Sequence, residues 1–256
     1  MKIAICGAAG RMGRAIIGIA KADGNIEVSG AFEFDGNSAI GTGTPKILPV
    51  KDLGKELPKS DVLIDFTNPE STLSNLETAA KHKIPVVIGT TGFTQEQKNK
   101  IAETAKIIPV VLSPNMSVGV NLLFKLVEET ARKISDYDIE IVELHHNKKK
   151  DAPSGTAAKL AECAAKGIGK NIGEIGVYGR QGIIGERKKD EIGVMSVRAG
   201  DIVGEHTVYF AGPGERIELT HRAHSRDTFA AGAVRAAKWL IGKPAGLYSM
   251  QDVLNN

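Results

Sequence analysis

The sequence predicts an α/β fold in two parts: an open parallel sheet with helices on both faces, then a smaller α+β region with a mixed sheet. Two observations predict this. Up to about residue 112, short apolar strands alternate with helices, and from about residue 191, three extended runs follow one another with short turns between them. A last helix, at 227–240, is expected to return to the first sheet. We therefore expect one domain at 1–116 and 227–256, and another at 117–226.

The elements of the first part follow from apolar runs and helix signals. Residues 2–6 form an apolar run that ends at a glycine, and a helical period leads from Arg14 to Ala22. Further along, the patterns predict strands at 26–34, 61–66, 85–89 and 108–112, and helices at 69–83 and 94–105. In such sheets, ligands bind at the carboxyl ends of the strands.

The regular alternation of strands and helices ends after Asn115. A long helix is predicted at 119–134, an extended run at 138–146 and a helix at 154–166, before a stretch rich in glycine and charge at 167–190. Strands are predicted at 191–199, 204–211 and 215–222. The turns between them, Ala199-Gly200-Asp201 and Gly212-Pro213-Gly214, indicate an antiparallel or mixed sheet.

Composition excludes several classes of protein. With 42% hydrophobic and 25% charged residues in 256, the chain matches globular averages, and a net charge of +3 is too small and dispersed to indicate nucleic acid. No apolar run is long enough for a membrane span or a signal peptide, so we expect a cytoplasmic protein. Cys6 and Cys163 are too few for a disulfide framework or a zinc ribbon and are expected in the core. We expect no metal site, because His145 and His146 point to opposite faces of a strand.

A glycine-rich loop lies between the first strand and the first helix, Gly7-Ala8-Ala9-Gly10-Arg11-Met12-Gly13. Glycine permits a tight turn and close approach of a pyrophosphate, and the helix N-terminus offers unpaired N–H groups. Glu33, 20 positions after Gly13, ends the second strand, where a carboxylate can bind an adenosine ribose. The alternative is that the glycines serve only a tight turn and that Glu33 caps a strand.

Arg11 bears on the choice between the two nicotinamide dinucleotides. Its guanidinium could pair with a 2′-phosphate and so admit NADPH, or it could be a solvated surface group. Phe34 and Asp35, which follow Glu33, supply no second cation, and Asp35 would repel a phosphate. We therefore expect use of both cofactors or a preference for NADH.

Three loops end predicted strands on the same rim of the sheet. They are Phe66-Thr67, Gly89-Thr90-Thr91-Gly92 and Ser113-Pro114-Asn115-Met116-Ser117. Gly89 and Thr91 can hydrogen-bond a nicotinamide carboxamide. Ordinary turn chemistry is the alternative for each loop taken alone.

The densest stretch of chemical groups is Glu143-Leu144-His145-His146-Asn147-Lys148-Lys149-Lys150-Asp151-Ala152-Pro153-Ser154-Gly155-Thr156-Ala157. Two histidines at a strand end, three lysines and a helix N-terminus gather donors for an anionic ligand such as a small dicarboxylate. The alternative is that Ser154 only caps the helix and that the lysines form a solvated run.

These segments together resemble the 4-hydroxy-tetrahydrodipicolinate reductase family, formerly called dihydrodipicolinate reductase, of the diaminopimelate route to lysine. Asp65-Phe66-Thr67, Asn115-Met116-Ser117-Val118-Gly119-Val120-Asn121 and Val197-Arg198-Ala199-Gly200-Asp201-Ile202-Val203-Gly204-Glu205-His206 add to the likeness, which spans nearly the whole chain. The resemblance implies a Rossmann-like dinucleotide-binding domain completed by the C-terminal helices. It also implies a sheet domain that binds substrate and builds a homotetramer, and reduction by NADH or NADPH.

The resemblance also implies roles for single residues. His145 and Lys149 match the catalytic pair, and His146, Gly155 and Thr156 match contacts to substrate carboxylates. Cofactor positions are matched by Gly7, Gly10, Arg11, Met12, Gly13, Glu33, Phe66, Gly89, Thr91, Ser113, Asn115 and Met116. Phe34 stands where some members have an arginine, and Lys148 where some have a histidine.

In the mechanism that the family implies, the 4-hydroxyl leaves as water to give a conjugated imine, which hydride then reduces. Lys149 is our candidate acid, with His145 donating, relaying or orienting. The segment 113–118 is a candidate hinge. Two alternatives are a nicotinamide-binding sensor without turnover, which would need no proton donor, and another Rossmann reductase that acts on an aspartate-derived substrate with a different acid.

Overall fold

The computed structural model describes residues 1–255 and divides them into two compact units. The first comprises Met1–Val118 and the chain from Arg226 onward, and the second is Gly119–Ser225. Asn256, which the predicted first domain includes, lies outside the described residues. None of the described helices has the length and apolarity that crossing a membrane requires.

Residues 1–255 contain nine α-helices and twelve strands. The helices are α1 (Arg11–Ala22), α2 (Leu53–Glu56), α3 (Pro69–Lys81), α4 (Gln95–Ala105), α5 (Val118–Lys133), α6 (Gly155–Gly167), α7 (Ile172–Ile175), α8 (Asp227–Leu240) and α9 (Met250–Leu254). The strands are β1 (Lys2–Cys6), β2 (Glu27–Glu33), β3 (Ile47–Pro49), β4 (Val62–Asp65), β5 (Val86–Ile88), β6 (Pro109–Leu112), β7 (Asp138–His145), β8 (Gly176–Val177), β9 (Ile192–Arg198), β10 (Gly204–Gly212), β11 (Glu215–Ala223) and β12 (Gly246–Tyr248).

The first unit contains a seven-stranded parallel sheet in the order β12-β6-β5-β4-β1-β2-β3. Every residue of β4 and β5 is buried, because helices cover both faces of the sheet. The chain moves outward from β1 in one direction to β2 and β3, and in the other to β4, β5 and β6. This reversal of strand order creates a crevice beyond the carboxyl ends of β1 and β4.

The C-terminal helix α8 packs on α1 and on β4, β5 and β6. Its small residues permit close contact: Ala233 and Ala237 share a buried cluster with Ile16 and Ala20 of α1. A β-carbon at Gly232 would stand only 1.8 Å from the main-chain oxygen of Met116. The loop after β6 and helix α8 are therefore tightly packed together in this unit.

The second unit contains a five-stranded mixed sheet in the order β11-β10-β7-β9-β8. β10 is antiparallel to β7 and β11, whereas β7 and β8 are parallel to β9. Helices α5 and α6 contribute to the hydrophobic core on one of its faces. The predicted fold class, a parallel α/β sheet with a second mixed sheet, is confirmed.

Several local predictions need correction. The turn at Ala199-Gly200-Asp201 does not join paired strands, because β7 lies between β9 and β10. Helix α1 begins at Arg11, three residues earlier than the predicted Arg14, so Gly13 lies within the helix. The short elements β3, α2, β12 and α9 were not predicted, since segments of three to five residues carry too little periodicity.

Candidate active site

The glycine loop of the first unit is shaped by contacts that only glycine allows. Gly7 has a φ of +79°, and a β-carbon there would lie 2.6 Å from the main-chain oxygen of Phe66. A β-carbon at Gly13 would lie 2.2 Å from the oxygen of Gly7. The start of α1 is therefore pressed directly onto the loop, and at the exposed Gly10 no side chain would stand between the backbone and a ligand.

The N-terminus of α1 is suited to an anion. Gly10 is its N-cap and offers no side-chain hydrogen bond, and the first turn contains no acidic residue. The amides of that turn and the positive end of the helix dipole can therefore bind a pyrophosphate. Arg11 is the first helical residue and is exposed, whereas Met12 is partly buried against the core.

Glu33 lies beside the glycine loop at the end of β2. Its Oε2 accepts a hydrogen bond from the Ala9 amide at 3.0 Å, and its Oε1 accepts one from the Phe34 amide at 3.2 Å. Phe34 is 60% exposed, and the Asp35 carboxylate accepts a hydrogen bond from the Lys51 amide. Two carboxylates therefore lie at the end of β2 and just after it.

A cleft of about 720 Å³ opens at this crevice and is lined by Gly7, Gly10, Glu33, Phe34, Lys51 and Phe66, among others. Its volume lies in the usual range for small-molecule and cofactor sites. The absence of side chains at the loop glycines, the uncapped helix and the carboxylate at the strand end all fit a dinucleotide.

Asp65, at the end of β4, is fully buried and organises the neighbouring loops. Its Oδ1 accepts hydrogen bonds from the amide and hydroxyl of Thr67 and from the hydroxyls of Thr72 and Thr90, and its Oδ2 accepts one from Asn75. The sequence analysis assigned this aspartate no role. The available signal was a carboxylate at the end of an otherwise apolar strand, which requires several donors when buried.

The rim loops after β4 and β5 meet in the structure. A β-carbon at Gly89 would lie 2.2 Å from the ring of Phe66, so this ring lies directly over the glycine. The Ser113 amide bonds the oxygen of Ile88, which places the loop after β6 alongside. Thr91 is exposed at this edge.

The 113–117 loop is fixed by its own side chains. The Ser113 hydroxyl donates to the oxygen of Asn115 at 2.7 Å, and the Asn115 side chain accepts the Ser117 amide at 2.9 Å. Met116 is only 2% exposed and belongs to the core. A ligand at this loop would therefore meet the main chain of Met116 rather than its side chain.

In the second unit, Glu143 and His145 lie on the buried face of β7, continuing the row of Ile139 and Ile141. The carboxylate of Glu143 is hydrogen-bonded to Nδ1 of His145 and is held by both terminal nitrogens of Arg198, at 2.8 and 2.9 Å. Arg198, which the sequence analysis assigned no site role, ends β9 directly opposite His145 in the sheet register.

The burial and charges of this cluster shift its pKa values. Burial raises the pKa of Glu143, but hydrogen bonds from Arg198, His145 and other donors outweigh burial and lower this pKa to about 2. Burial lowers the pKa of His145 and outweighs the opposing effect of Glu143. Burial, with His145 nearby, lowers the pKa of His206 to about 3. Near neutral pH, the cluster therefore combines an ionised carboxylate with neutral imidazoles.

Lys149 lies in the loop after β7 and is oriented by Asp151. Its Nζ donates to both carboxylate oxygens of Asp151 at 2.9 Å, and its side chain is 20% exposed. Lys148 and Lys150 are exposed. Of the three neighbouring lysines, Lys149 alone is thus partly buried.

Helix α6 begins at the end of the same loop. The Ser154 hydroxyl accepts the Ala157 amide at 3.2 Å, and the Ser154 amide donates to Glu143. Gly155 and Thr156 form the first turn, which contains no acidic residue. His146 is partly buried, and its oxygen accepts the Lys149 amide. The second unit therefore places an imidazole, an ammonium group and a helix N-terminus within the short segment from the end of β7 to the start of α6.

The two cysteines and the remaining acidic and histidine side chains do not form a further reactive site within residues 1–255. Cys6 and Cys163 are buried as predicted, and burial raises the pKa of each thiol. Within residues 1–255, no three His, Cys, Asp or Glu side chains are grouped in a way that could hold a metal ion.

Comparison with known proteins gives consistent matches over both units. Residues 1–116 match the family model described as dihydrodipicolinate reductase, N-terminus, and residues 119–254 match the model of its C-terminus. The chain is 53% identical over 264 residues to a 4-hydroxy-tetrahydrodipicolinate reductase of Geotalea daltonii, covering 99% of this chain and 98% of the relative. It is 54% identical over 263 residues to that of Geobacter metallireducens, with the same coverage.

A solved structure agrees with the fold. The dipicolinate-bound dihydrodipicolinate reductase from Paenisporosarcina sp. TG-14 superimposes with a TM-score of 0.77 at 24% identity, over 97% of each chain. A diaminopimelate dehydrogenase of C. glutamicum shares the fold more distantly, with a TM-score of 0.59 at 12% identity.

Proposed function

We propose that His145 and Lys149 are the catalytic pair of this chain, which belongs to the dihydrodipicolinate reductase family. The chain reduces 4-hydroxy-tetrahydrodipicolinate with a nicotinamide dinucleotide, a step of lysine and diaminopimelate biosynthesis. The assignment of this pair rests on the hydrogen bonds that hold the two side chains in place. His145 is joined to a buried carboxylate, and Lys149 is fixed on the loop that leads into α6. A protein that only bound its ligand would have no need of two such proton-exchanging groups.

We propose that the first unit is the dinucleotide-binding domain. The Gly7, Gly10 and Gly13 backbone with α1 would hold the pyrophosphate, Glu33 the adenosine ribose, and the loops at Phe66, Gly89 and Thr91 the nicotinamide. When bound, the nicotinamide supplies the hydride for the reduction. The 113–116 loop would complete this site through its main chain.

We propose that the second unit binds the substrate, a small dicarboxylate. His146 and the first turn of α6, at Gly155 and Thr156, would bind its carboxylates, since a helix N-terminus without acidic residues attracts anions. Lys149 would donate the proton that the departing 4-hydroxyl requires. His145 would relay protons through Nε2, because its Nδ1 is bonded to Glu143.

We propose a preference for NADH, with NADPH accepted less readily. Glu33 and Asp35 bring negative charge to the ribose position, where a 2′-phosphate would be repelled. Phe34 provides no compensating cation, and the exposed Arg11 is the basic residue of the loop. NADPH binding would depend on the cations near this position, Arg11 and Lys51, of which Lys51 lines the cleft.

We also propose a cytoplasmic homotetramer assembled through the second unit. The face of its sheet that points away from α5 and α6 carries Val142, Leu144, Met195, Val197 and Tyr209. Val197 is 41% exposed, and the other four are partly exposed. The same face also carries charged side chains such as Glu140 and Glu205, and a surface that mixes exposed apolar and charged groups fits a subunit interface. Sedimentation of the purified chain tests the tetramer, and a monomer at micromolar concentration would overturn it.

The experiment that tests the function follows the loss of NADH and NADPH absorbance separately. The preceding synthase generates the substrate in place from pyruvate and aspartate semialdehyde. Turnover is expected with both cofactors, with a higher kcat/KM for NADH. Absence of turnover from folded protein that still binds NADH would instead support a sensor or a reductase of another substrate.

A further inference from the structure

We propose that Glu143 and Arg198 are positioning residues of this reductase, which fix the orientation of the His145 ring and tie it to the loop that carries Lys149. The inference rests on the proposed catalytic roles of His145 and Lys149. Neither positioning residue needs to touch substrate. Both would act through the groups they hold.

Glu143 is buried because it lies on the inward-facing side of β7. The alternating pattern of β7 places it in line with Ile139 and Ile141, and its side chain is fully buried. Its partners across the sheet are Ser196 on β9 and His206 on β10. A carboxylate in this apolar row would be unfavourable without dedicated donors, so its presence indicates a specific task.

Both oxygens of Glu143 are fully used. Oε1 accepts from Arg198 at 2.8 Å and from the Ser154 amide at 3.1 Å, while Oε2 accepts from Arg198 at 2.9 Å and contacts Nδ1 of His145. Because an ionised carboxylate can only accept, Nδ1 must carry the proton of the neutral ring. Nε2 is then the nitrogen that can exchange a proton.

The other side of the His145 ring faces Gly204. A β-carbon at Gly204 would lie 3.0 Å from Nε2 of His145, closer than a side chain is normally tolerated. The His206 ring packs edge-on against His145, with 5.2 Å between centroids. The imidazole is thus fixed at Nδ1 by a carboxylate, while a glycine leaves room at Nε2.

Arg198 links this ring to the lysine loop. Besides its paired bonds to Glu143, its Nη2 donates to the main-chain oxygen of Asp151 at 2.7 Å. The carboxylate of the same Asp151 accepts hydrogen bonds from the Nζ of Lys149. One guanidinium therefore connects the supports of both proposed catalytic groups, and its planar fork suits this task better than a lysine would.

The charges around His145 predict how its titration would respond. Glu143 on its own strand, Lys149 on the loop, Arg198 on β9 and His206 on β10 surround the ring. Burial lowers the pKa of His145, Glu143 raises it, and Lys149 and Arg198 lower it. Loss of the Glu143 charge should therefore move this pKa further down.

The test uses full-length Glu143→Gln, Arg198→Lys and the double variant Glu143→Gln/Arg198→Met. The double variant removes both charges of the pair and so leaves no unpaired charge in the core. It can therefore be measured even if a single variant fails to fold. Glu129→Gln, which removes the charge of an exposed glutamate on α5 of the same unit, is the matched control. The measurements are kcat, KM, the NADH Kd, and the ¹⁵N NMR signals of the His145 ring across pH.

We expect kcat to fall by roughly 10- to 100-fold in all three variants, a typical cost of losing a residue that orients a reacting group. The NADH Kd should stay within about twofold, as should kcat of Glu129→Gln. In Glu143→Gln, the ring should lose its Nδ1-protonated pattern, and its pKa should fall. Arg198→Lys keeps a cation but loses the fork, so it should not restore kcat.

Two results would overturn the inference. One is a kcat within about threefold of the parent in Glu143→Gln with unchanged His145 signals, and the other is full recovery of kcat in the double variant. A separate pair, His145→Gln and Lys149→Ala, distinguishes this failure from that of the proposed function. If those two keep turnover, the catalytic assignment itself is wrong.

Discussion

The Glu33 carboxylate at the end of β2 accepts a hydrogen bond from the Ala9 amide at 3.0 Å. The acid expected to bind ribose therefore also holds the glycine loop in place. Its two tasks share one side chain, so replacing it should disturb more than a single ligand contact.

Glu33→Gln should weaken NADH binding by about tenfold, equivalent to about 1.4 kcal/mol, because an amide makes weaker hydrogen bonds with the ribose and the loop. NADPH binding should weaken less, since a repulsive charge is also removed. Titration of intrinsic fluorescence or calorimetry gives both Kd values. Equal changes for the two cofactors would show that Glu33 does not distinguish them.

Phe34→Arg should shift the preference toward NADPH, because the new guanidinium could pair with a 2′-phosphate at a position that is already exposed. We expect the ratio of kcat/KM for NADPH to that for NADH to rise about tenfold. Phe34→Leu is the control for loss of the ring. An unchanged ratio would remove Phe34 as a determinant of preference.

Lys149→Ala should lower kcat by at least about 100-fold while leaving the NADH Kd nearly unchanged, since removal of a general acid affects the chemical step. The exposed neighbours Lys148 and Lys150 provide matched controls, and their alanine variants should keep most activity. Steady-state kinetics with cofactor binding measured in parallel tests this. A large loss of NADH binding in Lys149→Ala would contradict the assigned role.

Asp65→Ala should destabilise the first unit by about 3–5 kcal/mol, because Thr67, Thr72, Thr90 and Asn75 would lose their shared acceptor. The exposed Asp61, whose carboxylate accepts a hydrogen bond from the Lys2 amide, supplies the control Asp61→Ala. Urea unfolding of the two variants should separate them clearly. Similar midpoints would mean that water replaces the buried carboxylate easily.

The stability of the protein should fall in acid partly through Glu143. Its pKa is about 2 in the folded chain, below the usual value of 4.5, so its ionised form stabilises the fold. This contribution is complete above about pH 5 and is lost as the pH falls from about 4.5 toward 2. Urea midpoints at several pH values should therefore decline less steeply for Glu143→Gln than for the parent. Parallel curves would assign acid sensitivity to other carboxylates.

The sequence predicted the long elements well because their periodicity is strong. Helices α3, α4, α5 and α8 lie within two residues of their predicted limits. The order of strands in the second sheet could not be predicted from local sequence patterns. The position of β7 between β9 and β10 depends on pairing between segments that are distant in the chain.

The same distinction applies to the candidate site. Gly7, Gly13 and Glu33 were predicted from spacing, since they lie in one βαβ unit. Arg198 was not predicted, because its contact with Glu143 spans 55 residues and only the register of β7 and β9 brings them together. The tasks of Asp65 and Glu143 became visible only when their donors, which come from several elements, were placed around them.

The core of the first unit includes Ala230, Leu240 and Val253, which come after the whole second unit in the chain. During synthesis on a ribosome, the second unit is therefore available in full before the first can complete its core. Ile16 and other residues of α1 therefore stay exposed to solvent until the segment from Arg226 onward has been synthesised and can pack on them. Premature termination anywhere in α8 would thus leave the nascent N-terminal sheet open to aggregation and to proteases.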